Sequence, residues 1–183
     1  MIFAVMMVRN EADIIRTNLL HHLASGIDHM LVVANGSTDG TAAVLKEFSD
    51  TKRVHVFAGP GAFHQAETTT EFAREAFLRG ARWVVPIDAD EFWYTPGGRL
   101  RDILDDSDAG ALEVDVVNFV QDRAQVVLDP RGLLTMTRRV AEPVGASSDA
   151  AELVESGRCS FVECRYPPKH ISRGSIALEI AQG

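Results

Sequence analysis

The first half of the chain alternates short apolar runs with stretches of helical periodicity. Residues 2–8 are apolar throughout, as expected of a strand buried on both faces of a sheet. The same pattern predicts three further strands, at 29–34, 54–57 and 82–87. Between the strands it predicts three helices. The first spans 12–24 and the third 66–79, and the second runs from a cap at Ser37 or Thr38 to about Phe48. Strands and helices that alternate at this spacing form parallel βαβ units. The predicted fold class is therefore α/β, with a mostly parallel, doubly wound central sheet and helices on both faces.

The first predicted helix carries an apolar stripe that should face the core. Its members are Ile14, Ile15, Leu19, Leu20 and Leu23. His21 and His22 lie in the middle of the same helix, where a structural role is the simpler interpretation. Gly26 is expected to end the helix.

The pattern is looser after residue 98. It predicts a short helix at 99–106, a strand at 111–120, a hairpin around 129–132, a loop at 141–157 and strands at 159–164 and 169–180.

Composition and charge exclude some classes of protein. The chain has 183 residues, 46% of them hydrophobic, which suits one globular domain. There is no apolar run of about 18 residues and no basic segment before the apolar start, so we expect no membrane span, no signal peptide and a cytoplasmic protein. The net charge of −8 argues against nucleic acid as a partner. Cys159 and Cys164 are expected to be reduced thiols, with a disulfide as the alternative.

Three polar segments directly follow predicted strands. They are Arg9-Asn10-Glu11, residues 35–39 and Asp88-Ala89-Asp90. Because ligands of doubly wound sheets bind beyond the carboxyl ends of the strands, these segments should converge on one site.

Asp88 and Asp90 offer the most specific chemistry. Two carboxylates that leave a buried strand can share a divalent cation with the phosphate oxygens of a ligand. Such a cation can stabilise a departing diphosphate as a Lewis acid. The alternative is that acidic residues merely end the strand.

The other segments are ambiguous when each is taken alone. Residues 35–41, with Ser37 and Asp39, could approach a ligand or simply cap a helix. Glu11 could line the same crevice or favour a helix dipole. Gln65 follows the third strand and belongs to a ligand loop or a plain connection.

Lys169 and His170 lie on a predicted strand near the end of the chain. Lys169 could meet a diphosphate and His170 could reach a metal ion, or the strand could simply be solvated.

Together the three strand-end segments resemble a known family. The stretches R-N-E-A-D-I-I, L-V-V-A-N-G-S-T-D-G-T and W-V-V-P-I-D-A-D-E-F-W are similar to family 2 glycosyltransferases of the GT-A fold, and most similar to the "Glyco_tranf_2_4" branch. The resemblance implies a nucleotide-diphosphate-sugar donor of the UDP or GDP type, with Mn²⁺ or Mg²⁺ held at the D-x-D motif. It also implies a single GT-A-like domain over 1–183, with a nucleotide-sugar-binding half (1–98) and an acceptor-side half (99–183) that is expected to end early.

The residue patterns and the resemblance together give the expected site. The expected donor-binding residues are Arg9, Asn10, Glu11, Asn35, Ser37, Asp39, Gln65, Asp88 and Lys169. Asp88 and Asp90 are the expected catalytic residues, and with His170 they are the expected metal ligands. Asn10 and Glu11 would touch the nucleoside, Asn35 would face the base and Asp39 would support its loop.

Two departures from the family pattern bear on these expectations. Many members have two acidic residues where this chain has Ala34 and Asn35, so base recognition is expected to differ. Relatives continue their last motif as G-N-H, whereas this chain ends at Gln182-Gly183, so the resemblance implies an early end.

The identity of the catalytic base and the reaction class stay open at this point. An inverting transfer needs a carboxylate opposite the leaving group, and Glu113, Asp115, Asp122 and Glu142 are available. Alternation puts Glu113 and Asp115 on one face of their strand. A retaining transfer, a phosphohydrolase of the haloacid-dehalogenase type and a nucleotide-binding domain without turnover are the alternatives to an inverting glycosyltransferase. The acceptor and the oligomeric state are not predicted.

Overall fold

The computed structural model describes residues 1–59, 61, 64–120, 130–145 and 149–180. The backbone divides into two compact units. The first comprises Met1–Leu112 together with the segment that begins at His170, and the second comprises Glu113–Lys169. The sequence suggested a boundary at residue 98, and nothing in the chain's pattern signals the return of the last segment to the first unit.

A six-stranded sheet forms the framework of the first unit. Its strands are β1 (Ile2–Val8), β2 (His29–Ala34), β3 (Val54–Ala58), β4 (Trp83–Pro86), β5 (Ala111–Val114) and β8 (Lys169–Arg173). Their order is β3-β2-β1-β4-β8-β5, with β1 parallel to β2 and β4, β2 parallel to β3, and β8 antiparallel to β4. The second unit holds a two-stranded antiparallel ribbon of β6 (Phe119–Val120) and β7 (Arg138–Arg139).

Helices connect the parallel strands, as the alternating pattern predicts. They are α1 (Ile15–Ser25), α2 (Thr41–Ser49) and α3 (Gln65–Leu78). The helix α4 (Leu100–Asp106) follows β4, and α5 (Ala150–Glu155) lies in the second unit. The α1 helix ends where Gly26 adopts φ +107°, a left-handed conformation that favours glycine.

The strand register aligns the carboxyl ends of the first three strands. Val8 pairs with Ala34, and Ala34 pairs with Ala58, so the residues that follow each strand emerge at one edge. On the other side of β1, Val5 pairs with Pro86, and the backbone N–H of Ile87 donates to the Val5 carbonyl at 3.0 Å. The strands β2 and β3 thus lie on one side of β1, and β4 lies on the other. The topological switch point of the sheet is therefore between β1 and β4.

The core lies on both faces of this sheet. Every residue of β1 is buried, which explains why its sequence is apolar without alternation. Trp83 is fully buried on β4, and its indole N–H donates to the Leu104 carbonyl at 2.9 Å, which anchors α4.

Most predictions for the first half agree with the structure, but two are wrong. Leu20, assigned to the apolar stripe of α1, is 54% exposed, while Asn18 and His22 are buried instead. The side chain that accepts a backbone N–H at the start of α2 is Asp39, not Ser37 or Thr38. The Asp39 carboxylate accepts the Thr41 backbone N–H at 2.9 Å.

Several predictions for the second half are wrong. The predicted loop at 141–157 contains α5, and the predicted strand at 159–164 is instead a 3-10 helix at Phe161–Glu163. The predicted strand at 111–120 is two separate strands, β5 and β6. Residue 129 lies outside the described residues, and at 130–132, where a tight hairpin was expected, a 3-10 helix runs over Pro130–Thr135. The antiparallel partners β6 and β7 lie farther apart along the chain than a tight hairpin allows.

Two further expectations concern the cysteines and the membrane. Cys159 and Cys164 are free thiols with their Sγ atoms 3.5 Å apart. Within the described ranges, no helix has the length and apolarity needed to cross a bilayer.

Candidate active site

A cavity of about 240 Å³ opens at the switch point of the sheet, in the first unit. The end of β1 contributes Met7, Val8 and Arg9, and the segment after β4 contributes Asp88, Ala89 and Asp90. Glu11 and Gln65 complete the lining. Five residues of the cavity are polar or charged, and all five were predicted from the sequence as site residues.

The two loops that follow β1 and β2 are joined by hydrogen bonds. Asn10 adopts φ +58°, its backbone N–H donates to Ser37 Oγ at 3.0 Å, and its Oδ1 accepts the Thr38 N–H at 2.8 Å. The Asp39 carboxylate accepts the Ala12 N–H at 3.1 Å. Hydrogen bonds from Thr41, and to a smaller extent this one, hold the pKa of Asp39 below its usual range. Asn10, Ser37 and Asp39 therefore shape the edge of the site, and a direct contact with donor remains a prediction for each.

Asn35 is fully buried and organises the loop after β3. Its Oδ1 accepts the backbone N–H of Gly61 at 2.9 Å. Gly59 lies so close that an added Cβ would be 2.8 Å from Asn35 Oδ1 and 3.0 Å from its Cα. Asn35 thus connects the ends of β2 and β3, and its predicted role in facing a nucleotide base is untested.

Replacing Gly59 with alanine should disturb this connection. The new methyl group would overlap Asn35, and overpacking of this kind costs about 1–3 kcal/mol in the free energy of unfolding. Urea denaturation measures the loss. Gly110→Ala is the matched control, because no atom lies within 4 Å of the Cβ it would add. Equal stability of the two variants would contradict the close packing of Gly59 on Asn35.

Asp88 and Asp90 differ in their surroundings. Asp88 is half-buried, and its Oδ1 accepts a hydrogen bond from Gln65 Nε2 at 2.7 Å, so the first residue of α3 orients this carboxylate. Asp90 is exposed at the cavity. Glu11 faces both of them. Burial raises the pKa of Glu11, and the negative charges of Asp90, Asp13, Asp39 and Asp88 raise it further.

Sequence reasoning missed the residues that hold the segment after β4. Asn18 Nδ2 donates to the backbone carbonyls of Ala89 at 2.9 Å and Glu91 at 2.8 Å. His22 Nε2 accepts the Trp93 backbone N–H at 3.2 Å. The structural role predicted for His22 is therefore confirmed. The available signal was the i, i+4 spacing of Asn18 and His22, which places two polar side chains on one helix face.

The charges at the cavity bear on whether a divalent cation fits. Among the described residues, no three His, Cys, Asp or Glu side chains are placed to hold a metal ion together. Mg²⁺, however, is commonly bound through one or two carboxylates plus the phosphates of a substrate, so a pair of aspartates suits it. After burial, the charges of four aspartates contribute to the raised pKa of Glu11, and a cation would relieve that negative charge. The donor set thus fits Mg²⁺ or Mn²⁺ held jointly with a diphosphate.

Lys169 and His170, the other residues predicted to reach the diphosphate and the metal, both lie on β8. His170 is exposed on β8 and forms no three-ligand group with Asp88 and Asp90 within the described chain. Lys169 begins β8 and belongs to the second unit. Metal and diphosphate roles for these two residues stay predictions.

Three of the four candidates for the catalytic base lie among the described residues of the second unit. Glu113 and Asp115 are both exposed, but β5 ends at Val114, so only Glu113 lies on that strand and the predicted common face stays a prediction. Glu142 is also exposed. Asp122 lies outside the described residues.

The fold and the cavity define a Rossmann-like α/β domain whose candidate ligand site lies at the switch point of the sheet. The chain matches the family model for glycosyl transferase family 2 over residues 3–151, and so it belongs to that family.

Individual proteins and solved structures are also similar to this chain. A rice protein (Oryza sativa subsp. japonica) described as a glycosyltransferase family 92 protein is 32% identical over 101 residues, which are 54% of this chain and 17% of the rice protein. The crystal structure of TarS 1–349 from S. aureus superposes with a TM-score of 0.55 at 16% identity, over 94% of this chain and 47% of TarS. A 4-diphosphocytidyl-2C-methyl-D-erythritol synthase structure gives 0.50 at 12% identity, over 94% and 75%. The chain thus spans only part of the length of the rice protein and of TarS, and the shared architecture confirms the predicted GT-A fold.

Proposed function

We propose that this protein is a metal-dependent glycosyltransferase that moves a sugar from a nucleotide-diphosphate donor to an acceptor, with inversion at the anomeric carbon. The observation that carries the proposal is the cavity at the carboxyl ends of β1 and β4, where Asp88, Asp90 and Glu11 surround a space beside Arg9. Membership of glycosyl transferase family 2 supports it. A solved structure of TarS 1–349 in complex with UDP, 20% identical with a TM-score of 0.50 over 69% of this chain and 38% of TarS, adds support for the fold's use of such a ligand.

Each side chain has a definite task in this proposal. Asp88 and Asp90 would hold Mn²⁺ or Mg²⁺, which supplies a Lewis acid for the diphosphate that departs. Gln65 fixes the Asp88 carboxylate in place through its 2.7 Å hydrogen bond. Arg9 lines the cavity with a positive charge and offers guanidinium donors to phosphate oxygens.

The acidic balance of the site makes a cation necessary for such a ligand. A diphosphate brought next to Asp88, Asp90 and Glu11 would meet three carboxyl groups and one guanidinium among the lining residues. Neutralisation by a divalent ion converts this repulsion into attraction.

The catalytic base belongs to the acceptor side of the reaction. An inverting transfer requires a carboxylate that removes the proton of the acceptor hydroxyl as the donor's glycosidic bond breaks. Glu113, Asp115, Asp122 and Glu142 are the proposed candidates. A variant at the true base should bind donor normally and lose transfer.

A thermal-shift experiment tests the proposal directly. UDP and GDP are each added with and without Mn²⁺ at about 100 times the dissociation constant, which stabilises a protein by about 2.7 kcal/mol. For a chain of this size, that corresponds to a rise of about 5–10 °C in Tm. We expect one nucleotide to give this rise only when Mn²⁺ is present.

Other outcomes decide between the alternatives. Absence of a shift with either nucleotide and Mn²⁺ would contradict the proposal. Release of phosphate from an aryl phosphate would favour a phosphohydrolase, although D-x-D follows the fourth strand here and the family assignment favours transfer. Nucleotide binding without sugar transfer or donor hydrolysis would favour a binding domain.

A further inference from the structure

The segment that carries Asp88 and Asp90 has little regular structure of its own. Residues 88–94 follow β4 without forming a helix or a strand. Their internal hydrogen bonds include the Glu91 N–H to the Asp88 carbonyl at 3.1 Å and the Asp88 N–H to Glu91 Oε2 at 3.4 Å. Such a turn needs partners from elsewhere to fix the direction of its side chains.

The α1 helix supplies these partners through a chain of buried polar groups. Because His22 Nε2 accepts the Trp93 N–H, the ring proton of neutral His22 is on Nδ1. That N–H donates back to Asn18, whose backbone oxygen lies 2.9 Å away and whose Oδ1 lies 3.0 Å away. The contact with Oδ1 fixes the orientation of the Asn18 amide.

The fixed amide then faces the turn. Asn18 Nδ2 has two hydrogens, and it lies 2.9 Å from the Ala89 carbonyl, 2.8 Å from that of Glu91 and 3.4 Å from that of Asp88. Asn18 and His22 are both fully buried. His21 adds a contact at the rim, where its Nε2 lies 2.7 Å from the Trp93 carbonyl.

We propose that Asn18 and His22 are positioning residues that set the backbone of residues 88–93 and thereby aim the carboxylates of Asp88 and Asp90 into the cavity. Asn18 holds the carbonyls around the two aspartates, and His22 holds both Asn18 and the far end of the turn. The consequence for catalysis rests on the proposed function, since it requires these aspartates to bind the metal.

Hydrogen exchange tests the structural half without any ligand. In Asn18→Ala, and in His22→Gln as a milder variant, amide exchange in residues 88–93 should accelerate about tenfold, since one lost hydrogen bond is worth about 1.4 kcal/mol. Exchange in β2 should stay at the wild-type rate. Leu20→Ala is the matched control, because Leu20 is exposed on the same helix. Unchanged exchange in 88–93 in both variants would overturn the proposal.

Titration with Mn²⁺ in the presence of UDP or GDP tests the positioning half. The Mn²⁺ concentration at half-maximal nucleotide binding should rise about tenfold in both variants, as for other residues that orient metal ligands. Faster exchange with an unchanged Mn²⁺ midpoint would mean a purely structural role, and the positioning role would be wrong. If the wild type binds neither nucleotide in response to Mn²⁺, the proposed function fails, while exchange still decides whether Asn18 and His22 hold the turn.

Discussion

The substitution Asp90→Ala is expected to lower the rate of sugar transfer by about 100-fold or more, the usual effect of removing one group that stabilises charge in a transition state. Asp90 is exposed at the cavity, so the substitution removes a carboxylate without leaving a void in the core. Nucleotide binding should also lose its dependence on Mn²⁺, because Asp88 alone provides a single carboxylate from the D-x-D segment. Transfer assays and the thermal-shift experiment measure the two effects.

The control for Asp90→Ala is a carboxylate of similar exposure outside the cavity. Asp108 is exposed in the loop after α4, and Asp108→Ala removes the same charge from the chain. It should leave both transfer and the Mn²⁺ dependence at wild-type levels. If Asp90→Ala binds nucleotide with an undiminished response to Mn²⁺, the assignment of Asp90 as a metal ligand is wrong.

The sequence predicted the parallel part of the fold because burial there is unambiguous. The bounds of β1 and β2 match the predicted runs at 2–8 and 29–34 residue for residue, since strands covered on both faces are apolar without interruption. The predictions beyond residue 110 were weaker because half-exposed strands such as β5 alternate and short turns interrupt them. At 159–164 a helical signal was present, because Ser160 and Glu163 form a capping box with the S-x-x-E spacing.

The site was predicted in composition but only partly in organisation. Strand order alone brings Glu11, Asp88 and Asp90 to one cavity, so these could be found from sequence. The burial of Asn18 could not be predicted from the sequence. Apolar periodicity identifies the buried face of a helix by its hydrophobic residues. The face of α1 that carries Asn18 and His22 is instead buried against backbone carbonyl and N–H groups. Only the tertiary structure brings those groups to the helix. Leu20 was assigned to the core by that assumption and is exposed.

Protein stability should fall as the pH drops from 7.5 to 4.5, and His22 should account for a large part of the fall. Burial, together with the charge of the neighbouring His21, lowers the pKa of His22 from the 6.5 of a free histidine to about 4. Between these values the unfolded chain binds a proton that the folded protein does not, so the stability is fully present above pH 6.5 and is lost as the pH approaches 4. At 1.36 kcal/mol per pKa unit, the loss at pH 4.5 is about 2.5 kcal/mol.

Comparison with His22→Gln isolates this contribution. The variant lacks the titrating ring, so urea denaturation at pH 7.5 and 4.5 should show the stability difference between wild type and variant shrinking by about 2.5 kcal/mol at the lower pH. Other groups titrate in the same window: the lowered pKa of His55 acts in the same direction, and the raised pKa of Glu11 acts in the opposite one. Both are common to the two proteins and cancel in the difference. A difference that stays constant between the two pH values would mean that His22 is not held neutral against the turn that carries Asp88 and Asp90.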